Sequence, residues 1–243
     1  MTDLGAPARR SVLLPALFTL VVVAVLIGLG SWQLERKAWK EALITTLDQR
    51  LSAPPTVLPP RQRWPDLRQA EDEFRRIKFT AGFLPGQEAR VYTSGSALRP
   101  DVSGPGYWIF APARLADGSF VVVDRGFLPQ GVQEPAGSVS AAPVELVGVL
   151  RWPEQPGLFT PKPDPVHDLW FARDHLAIAA GKGWGEVAPF FVDLESPSPP
   201  GGLPRPGPLT VNLRDEHLQY AIIWFGLAVV VAGGFLFWLR SRP

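Results

Sequence analysis

Two long uncharged runs bracket this chain, and they constrain its fold more than any other feature. The first extends from Ser11 to Leu34 and contains LLPALFTLVVVAVLIGLG; the second extends from Leu218 to Leu239. At about 1.5 Å per residue the first covers roughly 36 Å, enough for a hydrocarbon core of about 30 Å. Tyr220 and Trp224 near one end of the second run, with Trp238 at the other, match the aromatic belts of a membrane span. A cleaved signal peptide is the rival reading of the first run, but the run is long for an h-region and no small-x-small cleavage site follows it. Arg9 and Arg10 precede the first run and Arg240 and Arg242 follow the second. The excess of cations on these flanks predicts that both termini are cytoplasmic and that the stretch between the spans lies outside. The short N-terminal tail leaves no room for a transit peptide, which points to a bacterial inner membrane. Ala24 and Gly28 in the first run, and Ala228 and Ala232 in the second, are predicted to form small faces through which the helices approach.

The first helix is expected to continue beyond the lipid. In WQLERKAWKEALITTLDQRL the residues Trp32, Arg36, Trp39, Leu43, Leu47 and Leu51 recur at steps of three and four, until Ala53-Pro54-Pro55 stops the helix. A plain amphipathic connector explains the same stripe. A Pro- and Arg-rich linker over residues 52–70 follows, and then the periodicity drops to two. FRRIKFTAGF, EARVYT, YWIFAPARL, SFVVVD, PVELVGVLRW and VAPFFVDLE read as strands, with Ala116-Asp117-Gly118 as a hairpin turn and ARDHLAIAAGKG as a short helix. The 27 prolines argue against a helical body. The predicted architecture is a membrane protein in which two transmembrane helices flank a mainly antiparallel β domain, barrel- or sandwich-like and extracytoplasmic. Its expected divisions are a cytoplasmic tail (1–10), the first span (11–34), a helical extension (35–53), the β-rich domain with linkers (54–216), the second span (217–239) and a cytoplasmic tail (240–243).

Several chemistries are excluded early. The chain has no cysteine, so disulfides, thiolate metal sites and thioether-linked haem are impossible. A net charge of +1 with scattered Lys and Arg gives no basic stripe for nucleic acid. No P-loop, GxGxxG, GxSxG or HExxH is present. Of the three histidines, His167 lies between Asp164 and Asp168 in a proline-rich loop, and His175 in the short helix reads as structural. His217 differs in its neighbours. At helical spacing it shares a face with Tyr220, Ala221 and Trp224, which puts a nitrogen ligand and flat aromatic walls at one membrane depth. Arg36, Lys37 and Lys40 leave the first span at the same interface. A haem wants such an axial ligand, apolar walls and cations near its propionates. A histidine that merely anchors or caps the helix fits the same pattern, and the residues alone leave both readings open.

Four stretches, in order, resemble signatures of the Surfeit locus (Shy) family of cytochrome c oxidase assembly factors. GSWQLERKAWKEALI (Gly30–Ile44) is similar to the motif just after that family's first span, and HLQYAIIWFGLA (His217–Ala228) to the opening of its second. FRRIKFTAGF resembles its strand with a glycine, here Gly82, before an aromatic. VVVDRGFLP, around Arg125 and Gly126, resembles its V-x-R-G-W-V-P element, with Phe127 in place of the tryptophan. Arg214, Asp215 and Glu216 also depart from the family's wording, placing carboxylates beside the histidine, and Ile223 departs before Trp224. The resemblance implies a protein that is not an enzyme and that binds haem a and aids its insertion into the catalytic subunit of the oxidase. Further partners it implies are haem a synthase and membrane lipid. The family's histidine maps onto His217 as the iron ligand, and its tyrosine and tryptophan map onto Tyr220 and Trp224. Arg36 and Lys40 are then the expected propionate partners. The alternatives are a scaffold that stabilises oxidase subunits without touching haem, and a membrane-anchored hydrolase, for which no nucleophile is nominated.

Overall fold

The structure is a computed structural model that describes residues 12–135, 137–210 and 216–242. The flanking Arg9 and Arg10, and Arg214 and Asp215 before the second span, lie outside the described residues. In chain order the elements are α1 (Leu13–Ser52), β1 (Thr56–Val57), α2 (Gln69–Asp72), β2 (Arg76–Phe83), β3 (Ala89–Gly95), β4 (Ser103–Leu115), β5 (Phe120–Pro129), β6 (Val144–Arg151), β7 (Leu169–Trp170), α3 (His175–Lys182), β8 (Phe191–Ser196) and α4 (His217–Arg240). They form two compact units. One comprises α1 as far as Ile44 together with α4, and the other spans Thr45–Leu213.

In the helical unit, α1 and α4 are both long and apolar enough to cross a membrane. The less exposed positions of α1 include Val22, Leu26, Leu29, Gly30, Gln33, Lys37 and Lys40; those of α4 include His217, Ala221, Trp224, Ala228, Val231, Phe235 and Trp238. Steps of three and four in both series mark a side-by-side helix seam. Gly30 is the point of closest approach: a Cβ there would come within 2.7 Å of the Phe225 ring. The expected small face is therefore corrected on one side. Ala24 is exposed and Gly28 has nothing within 4 Å of where its Cβ would stand. The seam follows the helical period through Gly30, two residues further on, and so passes Gly28 on the other side. On α4, Ala228 is buried and Ala232 half-buried, on the face expected.

In the other unit the mixed, mostly antiparallel sheet closes on itself. β2 pairs with β6, β6 with β8, β8 with β5 and β5 with β4, and β4 returns to β2 through Ala81–Leu115, Gly82–Arg114 and Phe83–Ala113. A closed ring of strands has few free edges, which matters for a domain built from short strands. β1–β2, β3–β7 and β5–β8 are the parallel pairs. A parallel pair needs a long crossover, and the segment from β5 to β8, which carries β6 and α3, supplies it for the β5–β8 pair. Ile77, Phe79, Val121, Val123, Leu146 and Val192 fill the ring, while Val122, Phe110 and Phe191 pack outward with Ile178 and Ala179 of α3. β5 is thus buried on both faces, which is why VVV shows no polar alternation. The linker expected over 52–70 turns out to be part of the core. Trp64, in a 3-10 turn over Arg61–Asp66, is 6% exposed, stands edge-on to Phe190, and donates its indole N–H to the Pro59 carbonyl at 2.9 Å. Burying a side chain of this size contributes about 3 kcal/mol or more.

The glycines of the strand motifs are demanded by backbone crowding. Gly126 has φ +116°, and a Cβ there would lie 2.2 Å from the Arg205 carbonyl oxygen. Phe127 and Arg205 exchange hydrogen bonds of 3.0 and 2.8 Å, which pin the segment returning from the barrel. Gly82 likewise faces the Ala141 carbonyl at 2.3 Å from its absent Cβ. Arg125, 2% exposed, donates to the Ser138 carbonyl at 2.8 Å and pairs with Glu134. The motif around Arg125 and Gly126 is a brace for the barrel.

Candidate functional site

Four histidine-bearing or acidic settings among the described residues differ sharply in character. His167 is exposed and its Nδ1 lies 2.6 Å from Asp164, whose carboxyl is held below its usual range chiefly by that contact. His175 is fully buried, with Nε2 3.0 Å from the Ala188 carbonyl, and desolvation pushes its pKa down to about 4. It is a core residue of the barrel domain, more deeply buried than a surface or half-buried histidine. Asp174, just before it, caps α3 by accepting from Leu176 and Ala177 at 3.1 Å each.

The third cluster is ionic and lies where β5, β6 and β8 meet. Arg173 bridges Asp124, at 2.7 Å, and Asp193, while Arg151 contacts Asp193 at 3.0 Å, Glu154 at 3.2 Å and Glu73 at 3.3 Å. Carboxylates outnumber guanidinium groups here. Burial, opposed by Arg173 and reinforced by the neighbouring Asp193, raises Asp124 to about 7. The network ties three strands together; Arg173 Nε within it has no hydrogen-bond partner among the described residues, and Arg173 and Glu154 border a cleft of about 300 Å³ with Tyr92, Trp108 and Phe171. Among the described residues no group of three or more His, Cys, Asp or Glu is arranged to hold a metal ion.

The fourth setting is His217, in the first turn of α4. Its Nδ1 lies 2.7 Å from Oε1 of Gln33 on α1. The two residues are half-buried and border a cleft of about 430 Å³ lined by Gln33, Lys40, Glu216, His217 and Tyr220. That volume lies within the range of small-molecule and cofactor sites, about 300–1,000 Å³. The structure thus brings His217, Tyr220 and Lys40 to one cleft. Arg36 and Trp224 do not line it. The Arg36 guanidinium sits over the Trp39 ring at 4.0 Å, and Trp224 is half-buried further along the seam, one helical turn beyond Tyr220. Lys37 pairs with Glu41 one turn along the same helix. Glu216 does border the cleft, so a carboxylate stands beside the cation there. Gln33 is the cleft residue that sequence reading passed over. Its only signal was its place between Trp32 and Leu34 in the motif after the first span, where the seam's period puts it one turn from Gly30.

Comparison with known proteins covers most of the chain. The SURF1 family model matches residues 20–229. The chain belongs to the SURF1 family. A SURF1-like protein of Drosophila melanogaster is 35% identical over 241 residues, covering 92% of this chain and 76% of the relative. A SURF1-like protein of Monosiga brevicollis is 34% identical over 236 residues, covering 91% and 86%. Surfeit locus protein 1 of Homo sapiens is 30% identical over 241 residues, covering 92% and 77%. The SURF1 family is known for cytochrome c oxidase assembly factors. Its match runs from within α1 through the whole barrel and well into α4, so Gln33, Lys40, His217 and Tyr220 all fall inside it.

Proposed function

We propose that this SURF1-family protein binds haem a at the outer face of a bacterial inner membrane and aids its insertion into the catalytic subunit of cytochrome c oxidase. In this reading it is not an enzyme; its partners are that subunit, haem a synthase and the surrounding lipid, and both termini are cytoplasmic. The observation that carries the proposal is the cleft at the start of α4. It joins an imidazole, a phenol ring and an ammonium group, and the imidazole's Nδ1 meets an amide oxygen. That set offers a haem a ring nitrogen for the iron, an aromatic neighbour and a cation for a propionate, with the Glu216 carboxylate opposing the propionate. His217 would be the axial ligand, Tyr220 a wall of the pocket, and Lys40 a propionate partner. Trp224 and Arg36 would join only after rotating their side chains. The bound haem would supply the redox-active iron that the oxidase later uses, and the residues here would hold and orient it. One histidine ligand per chain gives a set that releases its cargo more readily than a bis-histidine site.

The test is an absorption spectrum of the detergent-solubilised protein from cells that make haem a. A haem a spectrum in the wild type and its loss in His217→Ala are expected; full occupancy in the variant removes His217 as ligand. A second reading, the haem-independent scaffold, is distinguished by copurification. A scaffold recovers oxidase subunits equally well without haem a synthesis and with His217 replaced.

A further inference from the structure

We infer that Gln33 is the positioning residue of the site: its side-chain oxygen sets the tautomer and orientation of His217 and limits how tightly iron is held. The inference rests on the haem-binding reading above. An amide oxygen only accepts, so a hydrogen bond at the 2.7 Å contact between Gln33 Oε1 and His217 Nδ1 requires the hydrogen on that ring nitrogen. His217 Nδ1–H therefore donates to Gln33, and in the neutral ring the lone pair lies on Nε2, the nitrogen that would bind iron. A ligand histidine is characteristically held through its second nitrogen in this way, and removing the partner costs about 10–100-fold in metal affinity.

The fold explains why a glutamine can do this. Gly30 lets the Phe225 ring lie against the α1 backbone, so the helices run close where they leave the lipid. Gln33 is one turn further out on the same face, and its side chain then spans the remaining gap to the first turn of α4. A half-buried amide at this boundary would lose free energy without a partner, so each side chain restrains the other. The identity of the acceptor matters too. A carboxylate would draw the Nδ1 proton strongly and make the imidazole a stronger iron donor. The neutral amide draws it less, which suits a protein that must pass its haem to another.

Three variants and four readouts test this. In the protein without haem, ¹⁵N NMR of the His217 ring is expected to show hydrogen on Nδ1 in the wild type and a mixture of tautomers in Gln33→Leu. Hydrogen on Nε2 in the wild type overturns the inference, whatever the protein binds. With haem a loaded in cells, Gln33→Leu is expected to lower affinity about 10–100-fold. Gln33→Glu is expected to bind at least as tightly as wild type, with a higher iron–histidine stretching frequency by resonance Raman and a lower reduction potential. A purely structural role predicts that Glu and Leu are equally damaging, and that the stretch in the remaining haem is unmoved. Either result overturns the inference. Absence of haem in the wild type together with a fixed Nδ1–H tautomer sinks the haem reading, and with it the role of Gln33 toward iron. His217→Ala, which removes the ligand itself, separates the two failures: loss of haem there, with Gln33→Leu unaffected, leaves the ligand assignment standing and removes Gln33.

Discussion

Replacing Asp124 by asparagine should give the barrel a dependence on acidity that the wild type conceals. Asp124 is 2% exposed and is raised to about 7, first by burial and then by Asp193, against the pull of Arg173. Its pKa in an unfolded chain is about 3.9. Between these values the folded state holds a proton that the unfolded state has lost, so stability falls as pH rises, by about 1.4 kcal/mol per unit. His175, fully buried, is lowered to about 4 by desolvation, against about 6.5 when unfolded. Here the unfolded state holds the extra proton, and stability rises with pH by about the same slope. From roughly pH 4.5 to 6 the two terms oppose each other and nearly cancel. The amide introduced by Asp124→Asn keeps an acceptor for the Gly126 N–H, now 2.9 Å from the carboxylate, but cannot titrate. In that variant the His175 slope should stand alone, with stability increasing by about 2 kcal/mol across that interval. For a domain of this size the change is roughly 4–8 °C in Tm. His175→Phe should show the opposite slope. Thermal unfolding of the full chain in detergent, followed by tryptophan fluorescence in steps of half a pH unit, measures both. Parallel profiles for wild type and the two variants would refute the reasoning, because groups common to all three cancel in the comparison.

Other consequences follow from backbone crowding and the helix seam. Gly126→Ala forces a side chain into a positive-φ position already 2.2 Å from the Arg205 carbonyl, and should lower stability by about 2–4 kcal/mol, read as a depressed Tm. Gly30→Leu should push α4 away at Phe225, whereas Gly28→Leu, with open space around it, should leave the helix pair unchanged; spin-label distances between α1 and α4 separate the two. Trp64→Ala opens the end of the barrel under Phe190 and should cost about 3–5 kcal/mol, measured by denaturant unfolding.

Much of this architecture was legible in the sequence because its signals are local. An uncharged run long enough to cross lipid, alternation of period two, an Ala-Asp-Gly turn and a proline pair that ends a helix each act over a few residues. The two long apolar helices, the continuation of α1 beyond its apolar run, α3 and the six main strands follow from them. So does the candidacy of His217, from a helical face combined with the family's motif. What the sequence could not supply depends on residues brought together from far apart. The proline-rich stretch around Trp64 looks like solvent-exposed linker until the barrel offers it a buried end. Ala24 and Gly28 have the right composition for a helix contact, but the partner helix chooses the face, and it chose Gly30. The burial of Asp124 is a property of three strands meeting, and that of His175 a property of α3 packing on Phe191 of β8, and the titration of each follows from it. The pairing of Gln33 with His217 joins opposite ends of the chain, so no local pattern could reveal it. Sequence alone settled which segments are apolar, periodic or broken, because those preferences belong to the chain itself. Tertiary structure alone decided which of them touch, because contact depends on helix phase and strand closure, which neighbouring residues do not encode.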